Sequence, residues 1–276
     1  MDVRVTSDAK AFEASVFPFL QQDPVLHTII LSNVHERAVG SCRAEAEPSY
    51  FVSVHDESGA LIGAAMRTPN RPVYLGALRT DLADVVATAY LELVPEPGGV
   101  AGVSEATRCF AEAWAAARGV TVTEGRASRL HRLEDLTLLA AADGHARLMK
   151  PSEVELVANW SADGFAELNG PDLDWAESHL REERMWIWEA GGEPVSMVGY
   201  HLPIFGVCRV GPVYTPPEHR RHGYAGALTA HVSGEILAQG NQACLFTDLA
   251  NPTSNKIYYQ AGYRPVADFV DRVFTT

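Results

Sequence analysis

The sequence predicts a mixed α/β (α+β) fold arranged in two halves, residues 1–140 and 141–276. Three observations carry this. Short apolar runs, broken by glycine and proline, alternate with segments whose apolar residues recur every three or four positions. That rhythm runs through the chain twice, and 276 residues suit one large domain or two small ones at about 150 residues each. Hydrophobic residues make up 47% of the chain, enough for a core in each half.

The second half reads element by element. HARLMK is a short strand. Ser152 with Glu155 three residues on has the form of a capping box, and Val154, Val157 and Trp160 follow at helical spacing. DLDWAESHLREERM reads as another short helix. The apolar stretch from Met185 to Thr215 is interrupted at Gly191-Gly192-Glu193-Pro194 and again between Pro203 and Gly206, which predicts three antiparallel strands joined by tight turns. Trp186 and Trp188 alternate with Ile187 on the first of these and read as core residues or as part of a domain interface, with a substrate wall as the other role. Leu228, Val232 and Ile236 recur every four residues, so a helix follows, and Gly240 can end it. ACLFTDLA is a buried strand. NPTSNKIYYQAGY is a short helix with Asn251 as N-cap, Pro252 at the first helical position and Gly262 just past the end. FVDRVFTT closes the chain as a strand.

The first half begins with a strand and a helix in VRVTSDAKAFEASVFPFL. A hairpin turns at Glu57-Ser58-Gly59, and GGVAGVSEATRCFAEAWAAARG is a strand followed by a helix ending at Gly119. The two halves share little residue identity, so a repeat is suggested by rhythm alone. No low-complexity linker divides them; the segment near residues 125–139 is the best boundary.

Charge and composition narrow the function. A net charge of −13 argues against nucleic acid, whose phosphates need a basic surface. It is compatible with a cationic substrate, and a solvated acidic surface explains it equally well. Cys42, Cys109, Cys208 and Cys244 are scattered without a CxxC pair, which fits reduced thiols in a cytoplasmic protein. No apolar run nears the roughly 18 residues that would cross a bilayer, and the N-terminus lacks a basic-then-apolar leader. The expectation is a cytoplasmic chain without a membrane partner.

The stretch TPPEHRRHGYAGALTAHVSGEIL, residues 215–237, carries the chemistry. Two prolines lead into Arg220 and Arg221, then Gly223, then the small residues Ala225, Gly226 and Ala227 at a helix start. Helix N-termini present unpaired N–H groups and partial positive charge, so a diphosphate suits this place. A glycine-containing turn with solvated arginines accounts for the same spacing. Rival motifs are missing: there is no GxxxxGK[ST], no GxGxxG after a strand, no HExxH and no GxSxG. His219 and His222 lie three apart but have no third ligand at good spacing, so no metal is expected.

The pattern R-x-x-G-x-A at Arg220, Gly223 and Ala225, entered from VCRVGPVYT, resembles motif A of the GCN5-related N-acetyltransferase superfamily: Gln or Arg, two residues, Gly, one residue, then Gly or Ala. Asn251, then Tyr258 seven residues on, then the pair Gly262-Tyr263, resembles that family's motif B. The order of elements from about residue 145 onward matches as well. The whole chain is similar to tandem members, in which a degenerate first half, here residues 1–140 without the glycine loop, precedes a complete second half, residues 141–276. The resemblance implies two twisted, mixed and mostly antiparallel sheets flanked by helices, with acetyl-CoA held in the second half only.

It also implies the roles. Backbone N–H groups of Arg221, His222, Gly223, Tyr224, Ala225 and Gly226 would hold the pyrophosphate, with charge from Arg220. Val213, Tyr214 and Thr215 would pair with the pantetheine arm as an added strand, and a backbone N–H near Val213 or Tyr214 would face the thioester oxygen. Tyr258 would protonate the departing thiolate; its other reading is a core aromatic. Asn255, one helical turn before Tyr258, would bond the pantetheine, and Asn251 would do so or simply cap its helix. For the general base, Asp248, Glu218 and a water chain stay open. The implied reaction is direct acetyl transfer to an amine, of a small molecule or of a peptide or protein, by a monomer or homodimer. A non-catalytic acyl-CoA-binding module is the alternative.

Overall fold

A computed structural model describes residues 1–42, 47–139, 142–164 and 170–275. The chain divides into two compact units. The first comprises Met1–Leu130, Phe246–Ala250 and Val266–Thr276; the second comprises His131–Leu245 and Asn251–Pro265.

In chain order the first stretch gives β1 (Asp2–Thr6), α1 (Ala9–Leu20), α2 (Thr28–Ala38), β2 (Tyr50–His55), β3 (Leu61–Arg67), β4 (Val73–Gly76), α3 (Ala83–Leu93), β5 (Gly99–Val103), α4 (Ser104–Arg118) and β6 (Thr121–Leu133). The second gives β7 (His145–Leu148), α5 (Val154–Gly164), α6 (Leu173–Arg181), β8 (Met185–Ala190), β9 (Glu193–Tyr200), β10 (Val207–Tyr214), α7 (Tyr224–Ala238), β11 (Gln242–Asp248), α8 (Pro252–Gln260) and β12 (Tyr263–Thr275). The two series follow the same order. Each has one parallel pair joined through a helix, β4 with β5 through α3 and β10 with β11 through α7. The repeat that residue identity could not establish is therefore a repeat of topology.

The first unit orders its strands β1-β2-β3-β4-β5-β12-β6. Asp8 caps α1 by accepting from the N–H groups of Lys10 and Ala11, at 2.9 and 3.1 Å. Gly119 ends α4 at φ 68°, a left-handed value that a side chain would resist. Trp114 and Phe110 of α4 stack at 5.9 Å, and Phe274 of β12 stacks on Trp114 at 5.7 Å.

The second unit orders its strands β11-β10-β9-β8-β7. Leu228, Val232 and Ile236 on α7 are fully buried against Cys208 and Val210 of β10 and Leu245 of β11, the stripe their four-residue spacing predicts. Burying each such side chain contributes roughly 1.5–3 kcal/mol before chain entropy is subtracted.

Two expectations shift. The capping box sits earlier than Ser152 and Glu155. The Glu153 carboxylate accepts from the Lys150 N–H at 2.8 Å and pairs with Arg147 at 2.6 Å. Pro151 disfavours helical geometry at Lys150, which is extended at φ −90°, ψ 155°, so the first turn starts there. The cut at 140/141 falls on residues outside the described ones. The compact units part at Leu130 and His131, inside the segment 125–139 read as the boundary, but they are not consecutive halves, since the first also takes Val266–Thr276. The physical reason is β12. It is 13 residues long, and its register with β5, from Phe269↔Val103 to Val273↔Gly99, gives the C-terminal strand to the first unit.

Candidate active site

β10 is shaped by a bulge. Its register with β9 steps from Val210↔Tyr200 to Val213↔Val198, one residue extra on β10. Gly211 and Pro212 occupy the step. Gly211 stands at φ 149°, and Pro212, with no N–H to give a ladder, is tolerated at a bulge. On its other side β10 pairs with β11 only from Val207↔Gln242 to Val210↔Leu245. Past that point residues 211–214 keep β9 as a neighbour, and among the described residues no strand is paired with their other edge.

The loop after β10 is pinned. The Arg220 Nε donates to the Thr215 carbonyl at 3.0 Å, and the His222 Nδ1 lies 3.2 Å from the His219 carbonyl. The His222 and Tyr224 rings stack at 5.3 Å. Arg221 holds φ 69° and Gly223 φ 82°, two left-handed residues in three. Gly223 is the N-cap of α7 and offers no side chain. The first intrahelical bond, Ala227 N–H to Gly223 carbonyl at 3.0 Å, leaves the N–H groups of Tyr224, Ala225 and Gly226 without helical partners. The first turn holds no acid of its own to offset the positive end of the dipole. Gly226 serves another purpose: a Cβ there would meet Leu139 at 2.9 Å and Ile257 at 3.0 Å, so its small size lets α8 pack close.

Asn251 caps α8, accepting from the Ser254 N–H at 3.1 Å, and Asn255 donates back to the Asn251 carbonyl at 2.8 Å. Tyr258 turns inward and is buried, edge to face with Tyr263 at 6.1 Å. Tyr259 turns outward under the Arg264 guanidinium at 4.1 Å. Burial pushes the Tyr258 phenol up to about 12, opposed by the nearby Thr229 hydroxyl. Thr229 is fully buried, and its Oγ1 reaches no partner at hydrogen-bond geometry, so the pull on Tyr258 is that of a close dipole only.

A family model described as FR47-like protein matches residues 192–270, the stretch from β9 through most of β12. A Drosophila protein of known structure matches at TM-score 0.70 and 14% identity, over 99% of this chain and 98% of that one. An acetyltransferase of the GNAT family from Colwellia psychrerythraea matches at TM-score 0.63 and 11% identity, over the whole of both chains. A GCN5-related N-acetyltransferase from Sphaerobacter thermophilus matches at TM-score 0.63 and 13% identity, over 99% of this chain and 95% of that one. Comparison with curated proteins gives no match. The fold is that of the GCN5-related N-acetyltransferases. At such identities the likeness is one of fold, and the site rests on this chain's own geometry.

Within that acetyltransferase fold the second unit gathers most of the expected residues: β10's end at Val213–Thr215, the loop with Glu218 and Arg220, the α7 start, and Asn251, Asn255 and Tyr258 on α8. Asp248 belongs to the first unit. Its carboxylate accepts from the Ala250 N–H at 2.8 Å and lies 3.7 Å from Arg126, so both partners occupy it. Glu218 is exposed on the short turn Pro217–His219. Among the described residues no cluster of three or more His, Cys, Asp or Glu is placed to hold a metal, and no helix is long and apolar enough to cross a membrane.

Several neighbours were not legible in the sequence. Ser196 on β9, fully buried, donates to the Tyr214 carbonyl at 3.0 Å and lies 2.8 Å from the Thr215 Oγ1. Trp160 of α5 tilts against the Tyr214 ring at 6.1 Å, and a Cβ on Gly164 would strike that ring at 2.8 Å. Burial, with the carboxylates of Asp163 and Glu218 on the same side and Arg220 opposing, raises the Tyr214 phenol above its ordinary range. Asp163 is a carboxylate near Tyr214 that no local sequence signal marks. It lies on no motif, and only the packing of α5 on β10 brings it to Tyr214. The paired tryptophans of β8 divide: Trp188 is buried, its Nε1 donating to the Asp143 carbonyl at 2.9 Å, and Trp186 packs on His231 of α7 at 4.6 Å.

Proposed function

We propose that the second unit transfers an acetyl group from acetyl-CoA directly to the amine of a small molecule. The observation that carries this is the open backbone of β10 at residues 211–214 leading, through a pinned loop, into an uncapped α7. An extended pantetheine arm suits such an edge, and a diphosphate suits such a helix end. Acetyl-CoA supplies the activated thioester carbonyl. In the transfer the amine nitrogen forms the new C–N bond, the C–S bond breaks, the thiolate gains a proton and the ammonium loses one.

The chain's own groups divide that work. An unpaired N–H at Val213 or Tyr214 steadies the oxygen on which negative charge develops, an effect typically worth about 3 kcal/mol. Tyr258, kept protonated by its burial, holds the proton for the sulfur. Glu218, or water beside it, takes the proton from the amine. Asp248, committed to Ala250 and Arg126, is the weaker choice. The carboxylates of Asp163 and Glu218 near Tyr214 favour a cationic acceptor.

A second reading has one observation in its favour: the Tyr258 hydroxyl is buried toward Thr229, as in a domain that binds acyl-CoA without turning it over. Thiol-release kinetics with acetyl-CoA over a panel of small amines separates the two. Release with any amine removes the binding-only reading. Absence of both thiol release and a ligand-induced rise in Tm removes acetyl-CoA itself.

A further inference from the structure

We propose that the first unit carries a separate binding site, for a small uncharged and mostly apolar molecule of the phenol or indole class, in the cavity beyond the carboxyl end of β4. The cavity measures about 200 Å³. Its walls come from the end of α1 (Phe19, Leu20) and the connection after it (His27), from β3 (Ile62) and from β4 and the loop after it (Leu75, Leu78).

The cavity lies past the end of β4 on its β3 side, against the end of α1, and takes no lining residue from β5 or α3. The chain beside it lacks the means to hold a diphosphate. No glycine occurs between residues 77 and 84. Asp81 and Asp84 stand at the start of α3, where they repel an anion. Arg79, on the cavity rim, is taken by Asp81 through two bonds of 3.0 and 2.6 Å.

The lining sets the chemistry of the guest. The Phe19 and His27 rings lie 6.3 Å apart, and most of the other lining side chains are aliphatic, with Arg79 at the rim. No hydrogen bond to the His27 ring is formed among the described residues. Burial lowers its pKa, Asp23 opposing, so the ring is neutral near pH 7 and offers one donor and one acceptor. A buried carboxylate or ammonium would find no free counter-charge here and would lose its hydration. A neutral ring with one polar group loses little and gains the apolar wall. Size agrees: an apolar cavity of about 150 Å³ suffices for benzene.

The test uses the full chain and three probes: phenol, indole and benzoate. Isothermal titration and amide chemical-shift mapping read the binding. Phenol and indole are expected to saturate one site, with shifts confined to residues around Phe19, Ile62 and Leu78. Benzoate is expected to bind at least tenfold more weakly. Ala77→Phe, on the half-buried rim, fills the cavity and should weaken both neutral probes at least tenfold. His27→Leu should weaken phenol more than it weakens benzene used as an apolar control. Non-saturable titration of both neutral probes, benzoate binding as tightly as phenol, or shifts that map elsewhere would each overturn the proposal. The shift map on unaltered protein decides the matter even where Ala77→Phe fails to fold. None of these readouts depends on acetyl transfer.

Discussion

The Oγ of Ser196 lies 2.8 Å from the Oγ1 of Thr215, and the same hydroxyl donates to the carbonyl of Tyr214 at 3.0 Å. One fully buried serine on β9 thus holds the last residues of β10 at the point where the strand leaves its sheet. With Arg220 bonding the Thr215 carbonyl from the far side of the loop, the exit of β10 is held from two directions. Ser196→Ala should leave the fold intact and loosen that exit. Losing a buried hydrogen bond of this kind costs about 1–1.5 kcal/mol, so acetyl-CoA affinity should fall about tenfold. Titration calorimetry on the variant checks it; an unchanged Kd would show that the loop keeps its geometry without Ser196.

Gly223→Val should abolish the rise in Tm that acetyl-CoA gives the unaltered chain. Two effects act together. Gly223 sits at φ 82°, where a β-branched residue is strained, and a Cβ there would meet only Ala142, at an ordinary contact of 3.9 Å, so the cost lies in the backbone rather than in a clash. The branched side chain would also stand where the diphosphate must approach the N–H groups of α7. A stabilisation equal to that of the parent chain, measured by calorimetry across a ligand series, would place the phosphate site elsewhere.

Much of the second unit was legible because its signals are local. Leu228, Val232 and Ile236 mark the buried stripe of α7, and Asn251, Pro252 and Gly262 punctuate α8 where the caps and the left-handed residue stand. The spacing from Asn251 to Tyr258 and on to Gly262 marks Tyr258, which is buried, and not Tyr259, which is exposed. What escaped depends on packing between distant segments. Ser196 is one polar residue in an apolar strand, with nothing in its neighbours to signal a bond to Tyr214. Asp163 reaches Tyr214 because α5 lies on β10, a tertiary fact. In the first unit α2 and α3 passed unread: their N-cap residues are His27 and Leu82, neither with a side-chain cap bond to mark it. β12 was read short because its early residues, Tyr263 to Asp268, mix polar and apolar positions as a loop would.

Tyr258→Phe should lower kcat by about 10²- to 10⁴-fold while acetyl-CoA affinity changes little, since the hydroxyl acts when sulfur departs. The pH dependence supplies an independent reading. The folded protein holds the Tyr258 proton up to about pH 12, whereas an unfolded tyrosine releases it near 10. Above pH 10 the unfolded chain therefore binds fewer protons than the folded one, and stability falls as pH rises from 10 toward 12. The phenylalanine variant lacks this contribution and should lose less stability across that window. Denaturant melts at pH 9, 10.5 and 11.5 test the sign; equal losses in both proteins would mean that the Tyr258 hydroxyl is solvated.

A fragment of residues 140–276 should aggregate. The reason lies in β12 rather than in the size of the fragment. Residues 269–273 pair with residues 99–103 of β5, and Phe269 stacks on Tyr74 while Phe274 stacks on Trp114. The fragment keeps the strand and both phenylalanines but loses β5, Tyr74 and Trp114. An unpaired strand edge with exposed aromatic rings is a template for pairing with other chains. The converse truncation sharpens the test. Removing residues 266–276 from the full chain deprives β5 of its neighbour and uncovers Trp114, so the first unit should lose protection from hydrogen exchange along β5 and α4 before the second unit does. Light scattering on the fragment and exchange mass spectrometry on the truncated chain read the two outcomes. A monodisperse 140–276 fragment, or unchanged protection of β5 after truncation, would show that the C-terminal strand is dispensable to the first unit.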